Sequence, residues 1–187
     1  MTFPIRRLLP VDAPAYRELM LDAFGRHPES FTSSVTERAS LPLAWWQARL
    51  AMAPDALEVV NGAFDRAGRL VGAAGLRFES RERTRHKATL FGMYVGADAR
   101  GGGMGRALTM AALDQARSRP DVGIVQLTVS EGNQAALALY EGCGFRRFGI
   151  EPFAVALGGS FVSKVHMWRA VGGLDDRSSA ETDRNVI

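Results

Sequence analysis

The sequence predicts an α/β fold: a mixed, mostly antiparallel central sheet of about six to seven strands, with a splay between two parallel central strands, flanked by about four helices. Three observations carry this expectation. Residues 89–117, TLFGMYVGADARGGGMGRALTMAALDQAR, pass from a β-branched and aromatic run through a glycine turn into helical periodicity. Counting the strand that opens that unit, the order up to the glycine turn is one strand, two helices and then three consecutive strands, so strand and helix do not alternate regularly. Behind it, the breaker-free run IVQLTV at 124–129 supplies a parallel partner reached through a helix.

In chain order, residues 5–8 form a short strand. Asp12 offers a helix cap with Pro14 in the first turn, and Tyr16, Leu19, Met20, Ala23 and Phe24 give the helix an apolar stripe that ends at 25–28. Residues 29–40 are polar and read as turns. Ser40 and Pro42 begin a second helix carrying Trp45, Trp46, Leu50 and Met52 as far as Pro54. Adjacent tryptophans cannot share one helix face, so one faces the core and the other covers a second surface or lines a cleft. Strands at 57–64 and 70–78 flank DRAG, a hairpin signal, and the charged loop ESRERTRHK at 79–87 leads into the strand at 88–95.

After the glycine turn, Met104, Leu108, Ala111, Ala112 and Ala116 mark a helix to residue 117. A short helix follows at 134–141, with Ala135, Ala136, Leu139 and Tyr140 on or near one face, stopped by Gly142 and Gly144. Strands at 147–157 and 161–170 flank Gly158, Gly159 and Ser160, a second hairpin signal. Residues 1–171 form one domain, and 172–187 form an acidic tail with little to bury, expected to be flexible.

Composition narrows the function. The 187 residues include 47% hydrophobic ones, a normal core, and no run approaches the roughly 18 apolar residues of a membrane span. The first residues lack a signal-peptide pattern, which makes the cytoplasm the expected address. The lone Cys143 excludes an internal disulfide, and His27, His86 and His166 lack metal-ligand spacing, so no metal is expected. The formal charge is +3, with −2 in the last sixteen residues and +5 on the remainder. That excess suits a polyanionic cofactor, and its scatter among acids argues against nucleic acid.

The glycine turn carries the chemistry. RGGGMG is followed by Arg106 and Ala107 instead of a Lys-Ser/Thr pair, so it is no P-loop, and no acidic residue follows at the dinucleotide-fingerprint spacing. What remains is a turn whose backbone N–H groups, at the positive end of a helix dipole and beside Arg100, cradle an anion, typically phosphate. If the parallel strands part beside that helix start, their free N–H and C=O groups can pair with an amide-containing cofactor arm lying as a pseudo-strand, with Tyr140 over the gap.

On those residues the chain resembles the GNAT superfamily of N-acetyltransferases. Arg100-x-x-Gly103-x-Gly105 stands where that family has its pyrophosphate loop, and Asn133-x-x-Ala136-x-x-x-Tyr140-x-x-x-Gly144-Phe145 matches its other diagnostic segment. The resemblance spans roughly residues 5–170 and implies an acyl-CoA N-acyltransferase fold that uses acetyl-CoA. It implies that Met93, Tyr94 and Val95 offer main-chain groups to the pantetheine arm and to the oxyanion. Arg100, Gly101, Gly102, Gly103, Met104 and Gly105 would bind the pyrophosphate, with Arg106 close by. Asn133 and Ala136 would position the cofactor arm, and Tyr140 would be the general acid, with a phenol pKa that needs no large tuning.

The acceptor implied is a small amine or a peptide or protein amine. A non-catalytic acyl-CoA-binding or regulatory module on the same fold is the second reading, because residues 89–95 hold no acid to serve as base. Glu79, Glu82, His86 and Glu151 stand as substitutes. Phe31, Trp45, Trp46 and Phe153 are candidates for an acceptor cleft shaped by the first helices, the 79–87 loop and the final hairpin. The open edge of that hairpin is expected to allow a homodimer.

Overall fold

The computed structural model describes residues 4–172, so the proposed acidic tail, apart from Gly172, lies outside the described residues. Seven strands are present: β1 (Ile5–Arg7), β2 (Glu58–Phe64), β3 (Leu70–Phe78), β4 (Lys87–Val95), β5 (Ile124–Ser130), β6 (Arg146–Leu157) and β7 (Ser160–Ala170). They form one sheet in the order β1-β2-β3-β4-β5-β7-β6. Every neighbouring pair is antiparallel except β4 and β5, which run parallel. The helices are α1 (Ala13–Arg26), α2 (Val35–Ala39), α3 (Leu43–Ala48), α4 (Met104–Arg117) and α5 (Gln134–Gly142). Among the described residues no helix is long and apolar enough to cross a membrane.

Helices cover both faces of the sheet, which explains why its inner strands are apolar on both sides. On one face, α4 and α5 set Leu113, Ala116, Leu137 and Tyr140 against Val59, Leu76 and Val125. On the other, α1 and α3 set Tyr16, Met20 and Trp46 against Val60, Ala73 and Tyr94. Val59 and Val60 fall in different cores because successive strand side chains alternate. β6 is an edge strand, and its hairpin with β7 exposes Phe148, Ile150, Phe153 and Phe161.

Two elements differ from the sequence expectation. The stretch taken as turns contains α2, nucleated by a reciprocal capping box: Glu37 N donates to Ser34 Oγ (3.1 Å) and Ser34 N to Glu37 Oε2 (2.7 Å). The second helix stops at Ala48 instead of running to Pro54, because Arg7 Nη2 captures the Ala51 carbonyl (2.7 Å) and proline disfavours helical geometry before it. Trp46 is the core tryptophan at 2% exposure, and Trp45 is the one left half-buried beside a cleft.

Candidate active site

The site originates in a defect of the sheet. β4 and β5 pair over only three positions, Lys87↔Ile124 to Thr89↔Gln126, and then part. On the far side of β4, Ala73 faces Tyr94 while Gly75 faces Phe91, so Gly92 and Met93 together oppose Ala74. Such a bulge bends and twists its strand, and Gly92 accommodates it at φ +59°. β5 meanwhile stays paired with β7 to its end at Ser130↔Lys164. The strands therefore separate around a gap of about 200 Å³ walled by residues 89–93 and 127–130, with Tyr140 and Lys164 at its sides. Met93, Ser130, Asn133 and Ala136 also line a larger cleft of about 690 Å³, so the two spaces are continuous.

The glycine turn forms one wall of the large cleft. Gly101 (φ +84°) and Gly103 (φ +80°) take left-handed backbone, and a Cβ on either would meet nothing within 4 Å, so conformation rather than crowding demands glycine. Gly103 is the N-cap of α4 and contributes no side chain, leaving the first amides of the helix for an outside acceptor. Gly101, Gly103, Met104, Gly105 and Arg106 line the cleft, whereas Gly102 is exposed and not among the lining residues. Gly105 has an additional reason to be glycine: a Cβ there would lie 3.1 Å from Leu139 Cδ2 on α5.

Several predicted side chains are committed elsewhere. Arg100 Nε donates to the Val95 carbonyl (3.0 Å), and its Nη2 lies 3.0 Å from His27 Nε2. The Val95 carbonyl is thus already engaged. Arg106 Nη1 donates to the Gly142 carbonyl (2.6 Å), which ties α4 to the end of α5 instead of leaving the guanidinium free. Asn133 Oδ1 accepts from Ala136 N (3.1 Å) as the α5 N-cap, so its oxygen serves the helix. Tyr94 lines the cleft, and its hydroxyl donates to Asp22 Oδ2 (2.8 Å) on α1.

Tyr140 projects from α5 to the narrow gap, 5% exposed, with its ring edge-on to Phe145 at 5.8 Å. Burial, aided by nearby Cys143, pushes the phenol well above its ordinary pKa of 10. The expectation of an untuned phenol is therefore corrected: this hydroxyl holds its proton through any physiological pH.

Lys164 is the residue that sequence reasoning missed, because a lysine on a strand next to the edge reads as solvent-facing. It is 3% exposed, and its ammonium donates to the Glu29 carbonyl (3.2 Å), the Ser30 carbonyl (3.0 Å) and Ser130 Oγ (2.7 Å). Ser130 Oγ in turn donates to the Glu29 carbonyl (2.5 Å). The turn after α1 is thereby strapped to β5 and β7 across the mouth of the gap. Replacing Lys164 by Met strips the Ser30 carbonyl of its donor and leaves the Glu29 carbonyl to Ser130 alone, and is expected to cost about 1–3 kcal/mol in urea denaturation. Burial lowers the Lys164 pKa below 10.5, so the unfolded chain binds that proton more tightly. Wild-type stability relative to the Met variant therefore rises as pH climbs from the depressed pKa toward 10.5.

The substitute bases do not reach the gap. Glu79, Glu82 and His86 belong to the loop before β4, at the paired end of the strand, and line neither the gap nor the cleft. Glu151 is bound to His166 Nε2 (2.8 Å) on the final hairpin. Among the described residues lining the gap there is no carboxylate or imidazole. Phe153 is 73% exposed against Phe161, away from the cleft that Phe31, Trp45 and Trp46 do line.

Comparison with known proteins agrees with this architecture. A mycothiol acetyltransferase from Salinispora arenicola is 34% identical over 138 residues, covering 73% of this chain and 42% of the relative. The chain thus spans less than half the length of that curated relative. A ribosomal-protein-alanine N-acetyltransferase from Brucella melitensis superposes with a TM-score of 0.73 at 26% identity, over 90% of this chain and 99% of that one. A phosphinothricin acetyltransferase from Sinorhizobium meliloti, solved with AcCoA, superposes with a TM-score of 0.76 at 19% identity, over 92% and 90%. Residues 15–145 match the family model described as "Acetyltransferase (GNAT) family". The parted parallel strands and the uncapped glycine turn thus occur in a chain that belongs to the GNAT family of acetyltransferases.

Proposed function

We propose that the chain is an acetyl-CoA-dependent N-acetyltransferase in which a primary amine attacks the acetyl thioester directly, with Tyr140 as general acid. The observation that carries this reading is the juxtaposition of three features around one continuous space: an uncapped helix start, an unpaired strand edge and a buried tyrosine. The donor set fits the cofactor chemically. Free amides from Gly103 to Arg106 suit a diphosphate, and the β4 edge beyond Thr89 offers unpaired main-chain groups to the amides of pantetheine.

Each step then has a group to serve it. The main chain of residues 93–95 orients the thioester carbonyl and stabilises the oxyanion that forms when the amine nitrogen bonds to it. Collapse breaks the carbon–sulfur bond, and Tyr140 gives its proton to the sulfur; the amine nitrogen releases its own proton to water, from which the Tyr140 phenolate is reprotonated. An ordinary thiol has a pKa of about 8.5, so a raised phenol is a weak donor to a solvated thiolate. In the shared dry gap the thiolate is destabilised by the same desolvation, which restores the match.

No described residue lining the gap is a carboxylate or imidazole, and on this reading the amine arrives neutral. The rate at subsaturating acceptor is expected to rise about tenfold per pH unit and to level at the acceptor's own pKa. No falling limb is expected from Tyr140 below pH 10, because its raised pKa keeps it protonated. A break at lower pH that disappears on replacing one acid would instead mark a protein base.

Calorimetry with acetyl-CoA, followed by thiol release against a panel of small amines and peptide amino termini, tests the proposal. Failure to bind acetyl-CoA ends it. Binding without turnover on any amine favours the acyl-CoA-binding module, the reading supported by the missing base.

A further inference from the structure

A third cavity, of about 230 Å³, lies on the α1 and α3 face of β4 and meets the gap at Phe31, Thr32, Phe91 and Gly92, which line both. It opens toward the reacting centre from the side opposite the glycine turn. Its walls combine aromatic rings with three guanidiniums. Arg38 and Arg49 stack on Trp45 with Cζ 4.7 and 4.8 Å from the ring centroid; Arg49 and Arg77 stack on Phe91 at 4.9 and 5.2 Å. Phe91 is held flat against the strand by Gly75, where even a Cβ would lie 2.4 Å from its ring.

The charges in this pocket do not balance. Glu58 alone serves Arg49 (3.0 Å) and Arg77 (2.7 Å). Arg38 has a hydroxyl partner, Ser33 Oγ at 2.7 Å, and forms no ion pair with a carboxylate among the described residues. Its pKa is lowered first by burial and then by the neighbouring Arg49, with Glu37 and Glu58 opposing the shift from a distance. Three guanidiniums against one carboxylate repel a plain ammonium and attract an anion.

We infer that this pocket binds the acceptor, and that the acceptor is an α-amino acid with an apolar side chain whose free carboxylate pairs with Arg38. The inference rests on the acetyl-transfer reading for the role of the ligand as acceptor. A guanidinium presents a planar fork matched to a carboxylate, and the rings of Phe31, Trp45 and Phe91 offer the apolar contact. The volume equals roughly eight waters, the scale of one amino acid. The positive charge left over after pairing favours the neutral form of the bound amine, which is the form that attacks.

Ligand-observed NMR on the full chain, with L-methionine, L-leucine and L-phenylalanine beside their amides and decarboxylated amines, tests the pocket without relying on turnover. At least one free acid is expected to bind, its amide and decarboxylated amine at least tenfold more weakly. Arg38→Gln is expected to weaken the free acid at least tenfold and leave acetyl-CoA affinity within about twofold. Equal or tighter binding of the carboxylate-free partners, no binding of any free acid, or an unchanged affinity in Arg38→Gln overturns the assignment. The matched ligands on the wild-type protein decide the question even if the variant folds poorly. Thiol release on the same panel separates the two claims. Selective acid binding without transfer removes the acetyltransferase reading and leaves the pocket standing; transfer to carboxylate-free amines alone does the reverse.

Discussion

Tyr140→Phe is expected to lower acetyl-transfer turnover by about 10²–10⁴-fold, the usual contribution of a positioned general acid. Acetyl-CoA affinity should stay within about twofold and the urea midpoint nearly unchanged. The ring, which supplies the packing against Phe145, is retained. The lost hydroxyl forms no hydrogen bond with another described residue, so its removal orphans no buried partner. The separation of effects is what distinguishes an acid from a packing residue: a structural tyrosine would register in stability, an acid only in turnover. Wild-type turnover in this variant, measured by thiol release at saturating acetyl-CoA, removes Tyr140 from the mechanism.

Gly103→Val should give the opposite pattern, with acetyl-CoA binding weakened at least tenfold and turnover at saturation largely retained. A side chain at φ +80° costs about 1–2 kcal/mol, and a β-branched one sits at the upper end. Because the turn is exposed and a Cβ there meets nothing within 4 Å, no packing forces the new residue to keep the left-handed geometry. The turn relaxes, the amides at the start of α4 lose their common aim, and the strain appears as lost affinity instead of lost stability. Gly103→Asn, which tolerates left-handed backbone, should lose far less. Calorimetry on both variants checks the pair, and equal affinity for valine and glycine would show that this turn does not grip the diphosphate.

Local order was the legible part of the sequence. The strand at 70–78 and the helix at 104–117 have the predicted boundaries, because their periodicity and flanking turns agree. The five-residue α2 escaped because it buries no side chain and so has no apolar stripe; its only announcement was Ser34 three residues before Glu37. The parting of β4 from β5 was anticipated from the glycine turn, but its cause was not, since the bulge at Gly92 is visible only through the register with β3. Lys164 and the arginine cluster were illegible for a different reason. Arg38, Arg49 and Arg77 come from three separate elements and meet only through tertiary packing, where spacing carries no signal. The direction of Arg106 likewise follows from how α4 and α5 dock, whereas the commitment of Asn133 is local, a cap bond to Ala136 within its own motif.

The strap from residues 29–30 to Ser130 and Lys164 changes what kind of opening the sheet contains. With three rungs of ladder at one end and that strap at the other, the slit is an eyelet, rimmed by peptide groups nearly all the way round. On the proposed reading, donor and acceptor reach it from opposite faces and touch only through it. Its bore is set by main chain and by the strap side chains Ser130 and Lys164, so trimming any other lining side chain does little to admit a longer acyl tip. A wider bore requires releasing the strap or shortening the ladder, and either change loosens the fold itself.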